Sequence, residues 1–212
     1  MNTTFHPEQL FVDRPTWALT MLMVGKLRAG DRQGLCRIRN VSTGGMMIET
    51  RMPLGCGQSV SIEARAQQGV TGSIAWIRDD RAGVSFDREV PLDIMLALAR
   101  NRPNRVQKTR VPRGPRLQVD CRVEVQLSTG RVKAMLKDIS QGGAKLTMPL
   151  VTQRHDRLLL MVPGLPMKLG IVRWACAYVG IAFAEPLSFD LLAEWLLVRE
   201  ATAMSVNDRT GA

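Results

Sequence analysis

Apolar and polar positions alternate in short runs through most of the chain, and that period-two pattern predicts half-buried β-strands. Residues 16–27 open with a mostly apolar run, Trp17 to Val24, and Leu35-Cys36-Arg37-Ile38-Arg39 alternates strictly. Further strands are expected at 44–49, 59–64, 70–77 and 82–86, the last two meeting across the charged turn 78–81. The period then changes. Residues 93–100 follow Pro91, carry good helix formers and predict a helix. The same order comes again, with strands at 119–127, 132–138, 143–148, 157–162, 167–174 and 178–183. A helix from Ser188, its expected N-cap, to about residue 199 then follows. Its residues Phe189, Leu191, Leu192, Trp195 and Leu196 form one broad stripe, expected to pack on its own barrel. Six short strands and a helix, twice over, predict a mainly β protein of two tandem six-stranded antiparallel barrels, each followed by a C-terminal α-helix.

Fixed landmarks mark the repetition as a duplication. Asn40-Val41-Ser42-Thr43-Gly44-Gly45 returns ninety-eight residues later as Asp138-Ile139-Ser140-Gln141-Gly142-Gly143. Each copy has a cation before it (Arg39, Lys137) and an apolar run after it (Met46-Met47-Ile48, Ala144-Lys145-Leu146). In such a turn Asn, Asp and Ser fold onto the backbone and the glycines are expected at positive φ. The backbone N–H groups then form a nest suited to an anion. The intervals Gly45–Trp76 and Gly143–Trp174 are equal, and each Trp precedes a Gly-x-x-Phe, at Gly83–Phe86 and Gly180–Phe183. Trp76 and Trp174 are therefore expected at equivalent, largely buried positions. The domains follow as 1–100 and 117–202, with 101–116 a basic linker and 203–212 a disordered tail.

Charge adds one feature. The chain carries a net charge of +10, and Arg100, Arg102, Arg105, Lys108, Arg110, Arg113 and Arg116 supply seven positive charges without one acid among them. A segment of this kind expects an anionic partner. Four cysteines without CxxC spacing and two histidines argue against zinc and predict buried free thiols in a reducing compartment. No apolar run approaches the roughly 20 residues of a membrane span. Glu8 and Asp13 stand where a basic-then-apolar leader would be, so a cytoplasmic protein is expected. No Gly-x-Ser-x-Gly, P-loop or HExxH pattern is present and the carboxylates are spread over turns, which predicts no enzyme and no cofactor.

With these motifs in place, the chain resembles the PilZ-domain family, bacterial receptors for the second messenger cyclic di-GMP. The resemblance covers about 14–100 and 108–199 and rests on the two [DN]xSxxG turns, Asn40-x-Ser42-x-x-Gly45 and Asp138-x-Ser140-x-x-Gly143, with the Trp-bearing strand beyond each. The family also has an RxxxR motif leading into the first strand, and here the chain departs from it. Arg110, Arg113 and Arg116 are spaced by three, and the nearest fit puts Arg113 in the second-arginine position with Thr109 in the first. In the first copy Arg14-Pro15-Thr16-Trp17 offers one arginine only.

The resemblance implies cyclic di-GMP as ligand, bound by Arg110, Arg113, Arg116, Asp138, Ser140 and Gly143, with domain 1 a degenerate copy. Domain 1 would dock on domain 2 or on a partner, with Met46, Met47 and Met52 as its adaptable contacts. The implied partner is a protein in a motility, biofilm or polysaccharide pathway. The alternative is a degenerate pair that binds no nucleotide and works as an adaptor for protein or nucleic acid. One Tyr and five Phe leave few aromatics for stacking on single strands, which speaks against nucleic acid.

Overall fold

The computed structural model describes residues 19–64, 69–91, 114–148 and 152–210. Strands β1 (Leu19–Ala29), β2 (Arg32–Ser42), β3 (Gly45–Thr50), β4 (Ser59–Glu63), β5 (Val70–Arg78) and β6 (Arg81–Phe86) form one closed barrel in the order β1-β2-β3-β6-β5-β4. Strands β7 (Leu117–Leu127), β8 (Gly130–Ser140), β9 (Gly143–Thr147), β10 (Arg157–Met161), β11 (Lys168–Ala175) and β12 (Val179–Phe183) form a second with the same neighbours. All pairings are antiparallel, and the β1–β4 and β7–β10 pairs close the barrels, so neither leaves an edge. A single helix, α1 (Phe189–Thr210), is described, and Ser188 caps it by accepting from the Leu191 N–H at 3.2 Å. The helix expected at 93–100 and the linker from 101 to 113 lie outside the described residues.

Each barrel has its own core. Leu27, Ile38, Ile48, Ile62 and Ile74 fill the first, and Leu136, Ile139, Leu146, Leu158 and Val172 fill the second. Phe189, Leu192, Trp195 and Leu196 of α1 extend the second core, with the Trp195 indole N–H donating to the Pro163 carbonyl at 2.8 Å.

Three register shifts occur at equivalent places in both barrels: Thr20/Met23 and Gln118/Cys121, Ile38/Asn40 and Leu136/Asp138, Ile74/Trp76 and Val172/Trp174. These bulges decide which side chains face outward. Leu136 and Ile139 both lie in the core although an odd number of residues apart, because the extra residue Lys137 resets the alternation. Asp138, which simple alternation would send into the core with Leu136, is put on the outer surface. Ile38, Asn40 and Val41 repeat the device in the first barrel.

The barrels meet along a seam. Leu35 of β2 joins the core of the second barrel, with Val24 of β1 packed against it. The Arg37 guanidinium reaches Asp190 of α1 at 2.9 Å and lies over the Phe189 ring, 4.1 Å from its centroid. The Glu200 carboxylate accepts from Arg32 Nε at 3.3 Å and from the Gln33 backbone N–H at 3.2 Å, while Gln33 Nε2 donates to the Gln118 carbonyl at 2.6 Å. Barrel 1 thus docks on barrel 2, but through Val24, Leu35 and Arg37. Of the methionines expected as docking contacts, Met46 is buried in barrel 1's own core, while Met52, also buried, lines a small cavity at the seam beside Leu196 and Glu200 of α1. The helix also runs to Thr210, so the part of the expected disordered tail from 203 to 210 is helical. Sequence ended it at 199 because nothing local shows that Glu200 has partners on the other barrel.

Candidate functional site

The [DN]xSxxG turns close the β2–β3 and β8–β9 hairpins in the same way. Ser42 Oγ donates to the Gly45 carbonyl and Ser140 Oγ to the Gly143 carbonyl, each at 3.2 Å. The turn carbonyls accept from the chain leaving the last strand: Phe86 N–H to Gly44 and Val90 N–H to Thr43 in barrel 1, Phe183 N–H to Gly142 and Leu187 N–H to Gln141 in barrel 2. Both turns therefore tie the hairpin to the barrel's exit. The motif glycines are not at positive φ, contrary to expectation; among the described residues the glycines that are lie at 30, 57, 130 and 164. Gly143 is required for another reason. A Cβ there would stand 2.2 Å from the Ile181 carbonyl oxygen, because β9 and β12 approach closely at that point.

Asp138 is where the two copies separate. Its residue is 7% exposed, and one carboxylate oxygen accepts from Arg116 while the other lies 3.2 Å from Lys145 Nζ. Arg116 is set by its neighbour: Leu117, fully buried, anchors the start of β7 and leaves Arg116 at the mouth of the turn. Lys145 also stands 5.0 Å above the Tyr178 ring centroid.

Cross-strand register extends this group into a row. Gln118 pairs with Asp138, Asp138 with Lys145, Lys145 with Gly180, and Gly180 with Trp174. The Trp174 indole lies flat on Gly180, whose missing Cβ would come within 2.1 Å of the ring. In barrel 1 the row reads Thr20, Asn40, Met47, Gly83, Trp76, with the Trp76 indole likewise 2.1 Å from the Gly83 Cβ position. The two Trp residues are equivalent, as expected, but not largely buried: Trp174 is 37% exposed and Trp76 is half-buried. The bulge at Arg173 turns Trp174 outward, and Tyr178 beside it is also exposed. The outer face thus offers a nearly buried carboxylate, two cations and two aromatic surfaces in succession.

Of the site residues expected from sequence, Arg116, Asp138, Ser140 and Gly143 come together, while Arg110 and Arg113 lie outside the described residues. Lys145, which joins this group through Asp138 and Tyr178, was not among the residues expected from sequence. Its signal was a single cation in the apolar run Ala144-Lys145-Leu146 directly after the motif. Lys137, the bulged residue, turns away to Asp120, and that hydrogen bond raises its pKa. Of the cysteines, Cys36 and Cys121 are buried as expected, and burial pushes the Cys36 thiol up to about 12, but Cys56 and Cys176 are exposed. Among the described residues no cluster of His, Cys, Asp and Glu could hold a metal ion, and no helix is long and apolar enough to cross a membrane.

The profile of the PilZ domain matches residues 14–100 and 107–196. No curated protein matches the chain. Among solved structures, PlzA of Borreliella burgdorferi in complex with c-di-GMP is similar, at 12% identity over 90% of this chain and 97% of that one, with a TM-score of 0.31. The motility inhibitor MotI/DgrA of Bacillus subtilis matches at 14% identity over 87% and 99%, with a TM-score of 0.32. Escherichia coli YcgR in complex with c-di-GMP matches at 11% identity over 89% and 88%, with a TM-score of 0.32.

Proposed function

Since the chain belongs to the PilZ-domain family, we propose that it is a receptor for cyclic di-GMP that takes the nucleotide on its second barrel and not on its first. The observation that carries this reading is Asp138, a nearly buried carboxylate held between Arg116 and Lys145 beside exposed Tyr178 and Trp174. A guanine presents O6 and N7 to an arginine fork and its N–H groups to a carboxylate. The phosphates answer the cations, with Arg110 and Arg113 of the preceding segment adding charge-assisted hydrogen bonds. The aromatic faces supply stacking surface. Ser140 and Gly143 hold the turn that aims Asp138. In barrel 1 the corresponding positions are Ala18, Asn40 and Met47, which offer no charge to a phosphate and no carboxylate to a guanine.

Gln33 of barrel 1 donates to the Gln118 carbonyl, and Gln118 is the register partner of Asp138. Ligand on the row therefore acts one strand from the seam, and the proposed output is a changed contact with a protein partner in a motility, biofilm or polysaccharide pathway.

Calorimetric titration of the full chain with cyclic di-GMP tests the reading. A charged hydrogen-bonding partner is worth about 1.5–3 kcal/mol, so Arg113→Ala, Arg116→Ala and Asp138→Ala should each weaken binding about tenfold or more. Asn40→Ala should leave it unchanged. Uptake of any dinucleotide alike, falling steeply with salt, would mark plain charge attraction instead. A second reading, an adaptor without nucleotide, has its own support: both Asp138 oxygens already have cationic partners, and no Arg pair in the basic join has the RxxxR spacing. No heat of binding at all would select it.

A further inference from the structure

The duplication puts one surface on each barrel in matching register, and among the described residues only one of the two is covered. On barrel 1, Val24 pairs with Arg37, Lys26 with Leu35, and Arg37 with Glu49. Ninety-eight residues on, Arg122 pairs with Met135, Glu124 with Lys133, and Met135 with Thr147. The barrel 1 surface is where α1 docks: Leu35 enters the other core, Arg37 takes Asp190, and the Phe189 ring lies under the guanidinium. The barrel 2 surface is an open groove of about 740 Å3, floored by Met135, Met161, Leu165 and Met167 with Arg122 and Lys133 on its rim. Glu124 is engaged by Arg131 at 3.3 Å, whereas Arg122 and Lys133 are exposed and have no ion pair among the described residues. Met167 is 58% exposed.

We propose that this groove is a docking site for an acidic amphipathic helix of a partner protein, seated as α1 is seated on barrel 1. Covered and open surfaces occupy the same place on the same fold, so the covered one shows what such a face accepts: an apolar helix side with a carboxylate meeting a rim cation. The differences fit a foreign helix. Flexible methionines floor the open groove, which suits changing or separate partners. The free rim charge is positive, so acidic residues are selected and attraction speeds the encounter. The groove meets β8 at Lys133–Met135 and β9 at Thr147, two residues along from Lys145, so partner and nucleotide would sit side by side on the outer surface of one barrel.

The probe is a fluorescein-labelled peptide of residues 187–202, the chain's own docking helix, titrated into the full-length protein without nucleotide and followed by anisotropy. The expected result is saturable binding that weakens at least about tenfold in Met135→Glu and in the Arg122→Glu/Lys133→Glu double variant. A peptide with Asp190→Lys and Glu194→Lys should bind correspondingly worse. Circular dichroism melting of each variant, unchanged from wild type, keeps the loss from being one of folding. Absence of binding overturns the proposal. So does binding that survives the groove variants but is lost in Arg37→Glu, because the peptide would then be invading the seam. Concentration-dependent dimers in sedimentation that Met135→Glu abolishes would make a second copy the occupant. Peptide binding that appears only after Met95→Asp and Leu98→Asp would make the chain's own 92–100 segment the occupant. Either result overturns the partner reading. No arm uses cyclic di-GMP, so failure of the nucleotide titration leaves this test standing.

Discussion

The two barrels share strand order, bulges and turn geometry, yet one cross-strand row runs Asn40, Met47, Trp76 and the other Asp138, Lys145, Trp174. What is common to both rows serves the fold. Ser42 and Ser140 close the turns at the same distance, and each Trp lies on a glycine of the neighbouring strand. What differs carries charge, and charge on an outer surface is not needed to build a barrel. The comparison thus divides one motif into a scaffold portion, Ser and Gly, and a chemical portion, the Asn or Asp that opens it. A match to [DN]xSxxG is evidence for the hairpin; only the carboxylate with its cations is evidence for a ligand.

The largest expected effect breaks what is common. Gly83→Ala and Gly180→Ala each place a Cβ 2.1 Å from an indole ring, and Gly143→Ala places one 2.2 Å from a backbone oxygen. Overpacking of this kind costs roughly 1–3 kcal/mol, which lowers Tm by several degrees for a barrel of this size. Thermal denaturation should show similar losses for Gly83→Ala and Gly180→Ala; a loss in one alone would end the equivalence of the two Trp seats.

Next comes the exchange of the chemical portion. Asp138→Asn with Lys145→Met rewrites the second row as the first, and should abolish cyclic di-GMP binding in calorimetry while leaving the fold intact. The reciprocal Asn40→Asp with Met47→Lys should not create a site, since residue 18 is alanine where residue 116 is arginine. A gain of binding there would show that the row alone suffices.

A smaller effect concerns the seam. Burial of Glu49 would raise its pKa, but hydrogen bonds from Arg39 and Arg37 outweigh that and hold the carboxyl below its ordinary value. A carboxylate depressed in the folded state stabilises at neutral pH, and the contribution is lost as pH falls through the folded pKa, below the unfolded value of about 4.3. Arg37→Met should flatten this acid limb in melting experiments and cost about 1 kcal/mol or less at neutral pH, since its pairs are partly exposed. The smallest difference should be between Ser42→Ala and Ser140→Ala, each losing one hydrogen bond worth about 0.5–1.5 kcal/mol. A much larger cost at Ser140 would mean that its hydroxyl does more than close a turn.

Local pattern by itself determined the twelve strands, the duplication, the two hairpin turns and the family, because alternation, turn residues and fixed intervals are properties of neighbouring positions along the chain. The family resemblance also singled out Arg116 and Asp138, which the fold brings into contact, and Ser140 and Gly143, which close the turn beside them. Local pattern misjudged what depends on bulges and on close approach. Trp174 was expected inside because a Trp in an apolar run is usually core, but one inserted residue turned it outward. Gly143 was expected at positive φ, yet its reason is the Ile181 carbonyl thirty-eight residues further on. Lys145 had no evident partner until register set it beside Asp138 and Tyr178. Nothing local in Glu200 or Arg37 announced that they hold one barrel to the other. Such choices belong to the tertiary structure, since which faces meet is fixed by barrel closure, bulge position and the docking of α1, and these join residues whose separation in sequence carries no periodic signal.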